Sequence, residues 1–348
     1  MEQRGRGASE NPRNRFDTMH VETDEDSWID EDARPQRTVF LQDDSQTILS
    51  PSEAGDLSFD YGLNPYRGCE HGCAYCYART YHEYLGFSAG LDFESKIVVK
   101  SKAPELLEAA LAKSSYKPGK ISLSGATDCY QPIERKLQLT RRCLEVLARF
   151  RNPVVVITKN ALVERDIDHL AELARHRAVA VYLSVTTLDP GLARILEPRA
   201  SSPRARLKAI ENLSNAGINA GVSAAPMIPG LNDSELPAIL EAAAAHGASF
   251  AGYSTVRLPG AVAEVFENWL DRHLPMAKEK ILGRIRAAHE GKLNSLAPSI
   301  RMRGTGAAAE QTRALFHACC KRNKLSSCLP SLSLESFRRL TPGQDELF

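Results

Sequence analysis

No run of about 18 apolar residues occurs anywhere in the sequence, so no segment offers itself as a membrane-crossing helix. The opening residues, MEQRGRGASENPRNRF, lack the apolar stretch that a secretory leader requires. Cysteine is sparse: eight residues in 348 cannot staple a chain of this length, and in a reducing compartment they remain thiols available to metal or chemistry. No internal repeat is present. A cytoplasmic monomer is the expectation.

What remains is a composition of 43% hydrophobic and 25% charged residues, enough for one large domain of roughly 250 residues with tails. The net charge of +1 conceals an asymmetry. Residues 1–45 carry six Lys/Arg against twelve Asp/Glu, which leaves the rest of the chain at +7. A mildly basic body is compatible with nucleic acid without requiring it. Residues 1–45 have few large apolar side chains with which to offset the entropy of ordering, and are expected to form a disordered acidic tail.

From Phe93 onward, short β-branched runs alternate with amphipathic stretches. The runs 96–100, 120–124, 154–158, 179–185, 218–224 and 250–256 read as strands, several apolar throughout as strands covered on both faces must be. Residues 104–113, 137–150, 162–175, 202–216 and 235–246 have apolar residues at helical spacing. The pattern predicts an α/β fold with a parallel sheet, open or barrel-like, and a ligand at the carboxyl ends of its strands. The expected organisation is a core at 46–260, a helical extension at 261–330 and a flexible tail at 331–348.

The chemistry concentrates in Asn64-Pro65-Tyr66-Arg67-Gly68-Cys69-Glu70-His71-Gly72-Cys73-Ala74-Tyr75-Cys76-Tyr77. Cys69, Cys73 and Cys76 form a C-x3-C-x2-C array, and closely spaced thiolates on one loop are how iron–sulfur clusters are held. Three ligands on a four-iron cubane leave one iron open, which distinguishes a reactive centre from a structural one. Gly68 and Gly72 allow the loop to curl. Zinc, with His71 as fourth ligand, is the alternative.

With Tyr75 before the third cysteine, this loop resembles the signature of the radical S-adenosylmethionine (SAM) superfamily. GLNPYRGCEHGCAYCYAR followed by SLSGATDCYQPIE is similar to the group called DNA repair photolyases, which resembles spore photoproduct lyase; the likeness runs from about Ile48 to Leu258. It implies a partial (βα)6 TIM-like barrel, a [4Fe-4S] cluster on Cys69, Cys73 and Cys76, and reductive cleavage of SAM to methionine and a 5′-deoxyadenosyl radical. It also implies lyase-like action on damaged or modified nucleic acid and an electron donor such as flavodoxin or ferredoxin. Among the site residues it implies are Gly125, Thr127 and Asp128 for the methionine part of SAM. Lys159 would meet the SAM carboxylate or ribose, Ser184 the ribose hydroxyls, and Met227 and Ile228 the adenine, while Arg199 is placed to clamp a carboxylate or phosphate. Cys129 and Tyr130 are candidate catalytic groups, Cys129 as a hydrogen donor. Arg135, Lys136, Arg141, Arg142, Arg204 and Arg206 are candidate phosphate contacts.

Other readings stay open. The substrate could be a peptide, an RNA base or a small metabolite, or the chain could be a non-catalytic iron–sulfur module recruited to DNA. Cys319, Cys320 and Cys328 near His317 leave room for a second metal, whereas Cys143 belongs to an apolar helical repeat and is expected in the core. Finally, Gln344, Leu347 and Phe348 resemble the Gln-x-x-Leu-Phe peptides that dock on the bacterial DNA sliding clamp.

Overall fold

A computed structural model describes residues 5–17, 37–52 and 59–340. Its strands are β1 (Val39–Gln42), β2 (Leu49–Pro51), β3 (Tyr61–Leu63), β4 (Tyr66–Arg67), β5 (Lys96–Val99), β6 (Ile121–Leu123), β7 (Val154–Thr158), β8 (Val179–Ser184), β9 (Ala220–Met227) and β10 (Phe250–Thr255). Seven form one sheet in the order β10-β9-β8-β7-β6-β3-β2. All neighbours run parallel except β2, which lies antiparallel on β3. Six parallel strands with crossover helices are the α/β arrangement expected. Among the described residues the sheet is open, with β2 and β10 at opposite edges.

The continuous apolar runs are explained by burial on both faces: Val154, Val155 and Val156 are all inaccessible, as are Val179, Ala180 and Val181. Burying each of these valine side chains contributes about 1.5–3 kcal/mol before entropic costs. Helices Ala103–Ala112, Leu139–Phe150, Ile167–Arg175, Pro203–Asn215 and Leu236–Ala245 cover the sheet, each contributing to the same apolar cluster. Pro203 opens one of them just after Ser202, whose hydroxyl accepts from the Ala205 amide at 3.3 Å, a proline-and-cap start.

Residues 96–100 do not open the main sheet. β5 instead pairs with β1 and β4 in a separate three-stranded sheet beside the cysteine loop. The position expected for it falls to β3, whose three residues are too few to show a period. The expected disordered tail is also corrected over the residues described: 5–17 pack on the cysteine loop, and β1 is paired. Residues 331–340 are likewise not a free tail. Leu332 is buried with Val155, Ala180 and Phe250, and Phe337 lies 5.9 Å from the Tyr116 ring. The proposed clamp-docking residues Gln344, Leu347 and Phe348 lie outside the described residues.

The helical segment after residue 260 joins the body rather than standing apart. Phe266, Trp269, Ile281 and Ile285 pack on Leu196, Ile228 and Val256 together with Ala74 and Tyr75 of the cysteine loop. Helix Gly306–Arg322 sends Phe316, Cys319 and Cys320 into the main core. No helix among the described residues is long and apolar enough to cross a membrane.

Candidate active site

β4 delivers the chain into the cysteine loop, and two left-handed residues, Gly68 (φ +76°) and Gly72 (φ +67°), fold that loop back on itself. A Cβ at Gly68 would stand 2.9 Å from the Phe93 carbonyl oxygen, so close approach as well as φ demands glycine there. The loop is tied down along its length. Its Cys69 amide donates to the Phe93 carbonyl (2.9 Å) and its Glu70 amide to the Gln131 side chain (2.9 Å). The Gly68 carbonyl accepts from Thr127 Oγ1 at 2.6 Å, and the Ala74 amide donates to Leu196 O at 3.2 Å.

Cys69, Cys73 and Cys76 all line one cavity of about 250 Å³ at the carboxyl ends of the sheet. Facing them are Ser124, Gly125, Thr127 and Asp128 after β6, Thr158 and Lys159 at the end of β7, and Ser184 ending β8. Ser223, Ala225 and Pro226 of β9 and Thr255, Val256 and Arg257 at the end of β10 complete the wall. This is where a parallel α/β sheet binds its ligand.

Burial pushes the Cys73 thiol well above its ordinary range, with Glu197 adding to the effect, and burial likewise raises Cys76. Burial thus favours the protonated form of these two thiols in the metal-free protein, so loading iron onto them releases protons. The donor set fits an iron–sulfur cluster. Among the described residues no three His, Cys, Asp or Glu side chains converge as ligands of a single ion, which is what zinc would need. His71 lines the same cavity, with Nδ1 3.3 Å from Asp128 Oδ2 and Nε2 3.3 Å from Asn160 Nδ2. Zinc is left without a converging ligand set among the described residues.

Asp128 reaches the cavity, yet its carboxylate already accepts from Thr158 Oγ1 (2.7 Å), the Lys159 amide (2.8 Å) and the Tyr130 amide (2.9 Å). Burial opposes its ionisation, but His71 and these hydrogen bonds outweigh that and hold the carboxyl at about 2. It joins the cysteine loop to β7, and most of its acceptor capacity is spent within the protein. Lys159 Nζ stands 5.8 Å from the Tyr75 ring centroid, within the cavity. Tyr75 donates to the buried Glu197 carboxylate, which also accepts from Thr186 Oγ1 at 2.6 Å and pairs with buried Arg206.

Gly125, Thr127, Asp128, Lys159, Ser184 and Tyr75 are thus brought together with the three thiols. Other expected residues are not. Arg199 does not line the cavity; it pairs with Glu70 at 3.3 Å, and its amide donates to His71 O. Met227 and Ile228 are buried in apolar clusters, and Ala225 and Pro226 take the cavity wall in their stead, because β9 runs on to Met227 and turns those side chains into the core. Cys129 is wholly buried with Sγ 3.8 Å from Leu123 O, and Tyr130 donates to Asp166 at 3.0 Å. Neither faces the cavity, so the catalytic roles assigned to them are withdrawn. Cys319 and Cys320 are buried and Cys328 exposed, and they form no metal-holding group among the described residues.

The phosphate-contact assignments also change. Arg206 is buried on Glu197 and Arg141 forks onto Asp168, whereas Arg142 is exposed in a surface pair with Glu105, and Arg135, Lys136 and Arg204 are exposed as well. Missed in the sequence were Tyr77 and Arg257, whose guanidinium lies 4.4 Å from the Tyr77 ring centroid at the cavity. The signal available was Tyr77, Tyr81 and Tyr84, spaced by four and three residues directly after the third cysteine.

Residues 63–243 match the radical SAM superfamily. An uncharacterized protein of Mycobacterium tuberculosis is 37% identical over 64% of this chain and 66% of its own length. One from Methanocaldococcus jannaschii is 32% identical over 50% of this chain and 63% of its own. The match therefore spans just under two thirds of each relative. Among solved structures, spore photoproduct lyase complexed with dinucleoside spore photoproduct superposes with a TM-score of 0.61 at 15% identity, covering 83% of this chain and 81% of that one. At that identity the likeness is one of fold.

Proposed function

This chain belongs to the radical SAM superfamily, whose members carry a [4Fe-4S] cluster and use SAM, and on that premise we propose that it acts on a base of single-stranded or locally opened nucleic acid, as a repair or modification lyase. When bound, the cluster and SAM supply reductive cleavage of the sulfonium to a 5′-deoxyadenosyl radical that abstracts hydrogen from substrate.

The chain's own residues would divide the remaining work. Cys69, Cys73 and Cys76 hold the cluster. Lys159 places a cation for the SAM carboxylate, while Ser124, Ser184 and Thr255 offer hydroxyls to its polar groups. Tyr77 donates to the Gly125 carbonyl at 2.8 Å and so fixes the loop after β6. Apolar walls from Ala225, Pro226 and Val256 limit water around a reactive intermediate. The electron would come from a flavodoxin or ferredoxin.

The observation that carries the substrate reading is a group of exposed aromatic rings that begins at the cavity with Tyr77 and is flanked at its two ends by Arg257 and Arg15. Arg257 stacks on Tyr77, Tyr81 and Tyr84 follow, and Tyr84 meets Phe16 at 5.0 Å with Arg15 over both rings at 5.1 and 4.8 Å. Tyr77, Tyr81, Tyr84 and Phe16 are exposed to 36, 49, 67 and 52%, more than a core would leave uncovered. Bases stack on such rings for about 1–3 kcal/mol each, and arginine adds charge and cation–π attraction. The dinucleoside held by the lyase of like fold is consistent with this class of substrate.

The test is fluorescence anisotropy with a labelled single-stranded oligonucleotide. Tyr81→Ala and Tyr84→Ala should each weaken binding roughly tenfold, and Arg257→Ala should reduce its salt dependence. Equal affinity in all three variants would remove the group from the substrate path.

A further inference from the structure

Beneath the cysteine loop lies a buried carboxylate with an unusual set of donors. Glu94 is inaccessible and forms an ion pair with Arg79, also inaccessible. Arg79 in turn donates through Nε and Nη2 to the Cys73 carbonyl, at 3.1 and 2.9 Å, and through Nη1 to Ala89 O and Gly90 O. The remaining demands of Glu94 are met from far away in sequence. The amide of Gly7 donates to Oε2 at 3.0 Å and that of Ala8 to Oε1 at 2.9 Å, while Arg6 reaches the Glu94 carbonyl.

Contact between residue 7 and the loop is closer still. A Cβ on Gly7 would stand 1.8 Å from the Gly72 carbonyl oxygen, and one on Gly72 would be 2.9 Å from Glu94 Oε2. Backbone lies on backbone, and no side-chain adjustment relieves such a clash. Downstream, the segment continues as a fitted strap. The Leu91 amide donates to Glu10 O at 3.1 Å, Asn11 exchanges two hydrogen bonds with Asp92, and Asn14 caps the carbonyls of Glu83 and Phe87. Ala8 is buried with Leu91 and Val265, and Arg272 holds the Gly7 carbonyl at 2.9 Å.

We propose that residues 5–17 are a working part of the cluster centre: a strap that completes the hydrogen bonding of Glu94, and through Arg79 and Gly72 holds the cysteine loop in its cluster-binding shape. Gly7, Ala8, Glu94 and Arg79 act as positioning residues. Without the strap, Arg79 is the one partner left to the Glu94 carboxylate among the described residues, and a buried carboxylate stripped of two amide donors draws in water at the back of the loop. The consequence falls on retention of the cluster and on its shielding from oxygen. This inference is independent of the substrate reading and needs only the three thiols.

The test compares the full-length protein with Gly7→Ala and Gly90→Ala after anaerobic reconstitution; a Cβ on Gly90 would meet Glu10 O at 2.0 Å and so lifts the strap at a second point. Iron per chain, the rate at which the brown absorbance bleaches in air, and the thermal unfolding of the iron-free protein are measured together. Both variants should hold iron roughly tenfold less tightly, as loss of groups that support metal ligands does, and should bleach correspondingly faster, with the iron-free transition little changed. Bleaching and iron content equal to the parent in both variants would overturn the proposal. Should either variant fail to fold, hydrogen exchange of the parent decides. Slow exchange at Gly7 and Ala8 supports the strap, and exchange of residues 5–17 at free-peptide rates overturns it.

Discussion

Tyr75, between the second and third cluster cysteines, donates its phenol hydrogen to the buried carboxylate of Glu197, 122 residues further along the chain. Together with the Ala74 amide bond to Leu196 O and the Arg199 amide bond to His71 O, that contact fastens the cysteine loop to the 196–199 segment, and Arg206 neutralises the charge it rests on. Burial opposes the carboxylate, but Arg206, Lys159, Thr186 and Tyr75 hold it at about 2, ionised at any working pH.

Removing the charge while keeping the shape should therefore be costly. Glu197→Gln leaves Arg206 buried without its anion and is expected to lower stability by about 3–5 kcal/mol. Tyr75→Phe removes one donor from a carboxylate that retains others and should cost about 1–2 kcal/mol. Urea unfolding of the iron-free proteins measures both, and a smaller loss for Glu197→Gln than for Tyr75→Phe would show that the ion pair is not the anchor.

The cluster should depend on three cysteines alone. Cys69→Ala, Cys73→Ala and Cys76→Ala should each abolish brown absorbance and iron binding after anaerobic reconstitution. Cys129→Ala and Cys319→Ala should retain four irons per chain, because those thiols face the core. Iron loss from either of the latter pair without unfolding would reopen the ligand set.

Lys159 and Ser184 bear on SAM rather than on iron. Lys159→Ala should weaken SAM binding by roughly tenfold, the loss of one charge-assisted hydrogen bond, with the cluster spectrum intact. Ser184→Ala should act in the same direction and less strongly. Arg199→Ala should change SAM affinity by less than about twofold, since its partner is Glu70 rather than the cavity. Equilibrium dialysis with labelled SAM separates the three, and a large effect confined to Arg199→Ala would move the site.

Residues 341–348 make a further prediction independent of the cavity. A synthetic peptide of that sequence should bind a bacterial sliding clamp at micromolar concentration, with Phe348→Ala abolishing binding. No binding by either the peptide or the full chain would end the docking proposal.

Much of the scaffold is legible in the sequence because buried parallel strands must be apolar throughout: β7 and β8 fall where Val154–Thr158 and Val179–Val185 predict them. The cysteine loop is legible because its ligands are adjacent in sequence. What stayed hidden depends on partners distant in the chain. Nothing near Glu197 announces Tyr75, 122 residues away. Gly7 sits in a stretch that composition alone marks as disordered, since it orders through backbone amides and small side chains rather than through apolar bulk. The loop sequence around Met227 points it at the adenine, but the backbone of β9 extends far enough to turn its side chain inward.

The most direct measurement of the substrate claim follows an atom. Reduced, reconstituted protein is given SAM and deuterated single-stranded DNA carrying ultraviolet-damaged bases, and the 5′-deoxyadenosine produced is weighed by mass spectrometry. The account predicts deuterium in 5′-deoxyadenosine, diminished by Tyr81→Ala. SAM cleavage that proceeds without deuterium uptake from damaged DNA, or from modified RNA offered in its place, while a deuterated peptide pool does label the product, would contradict it.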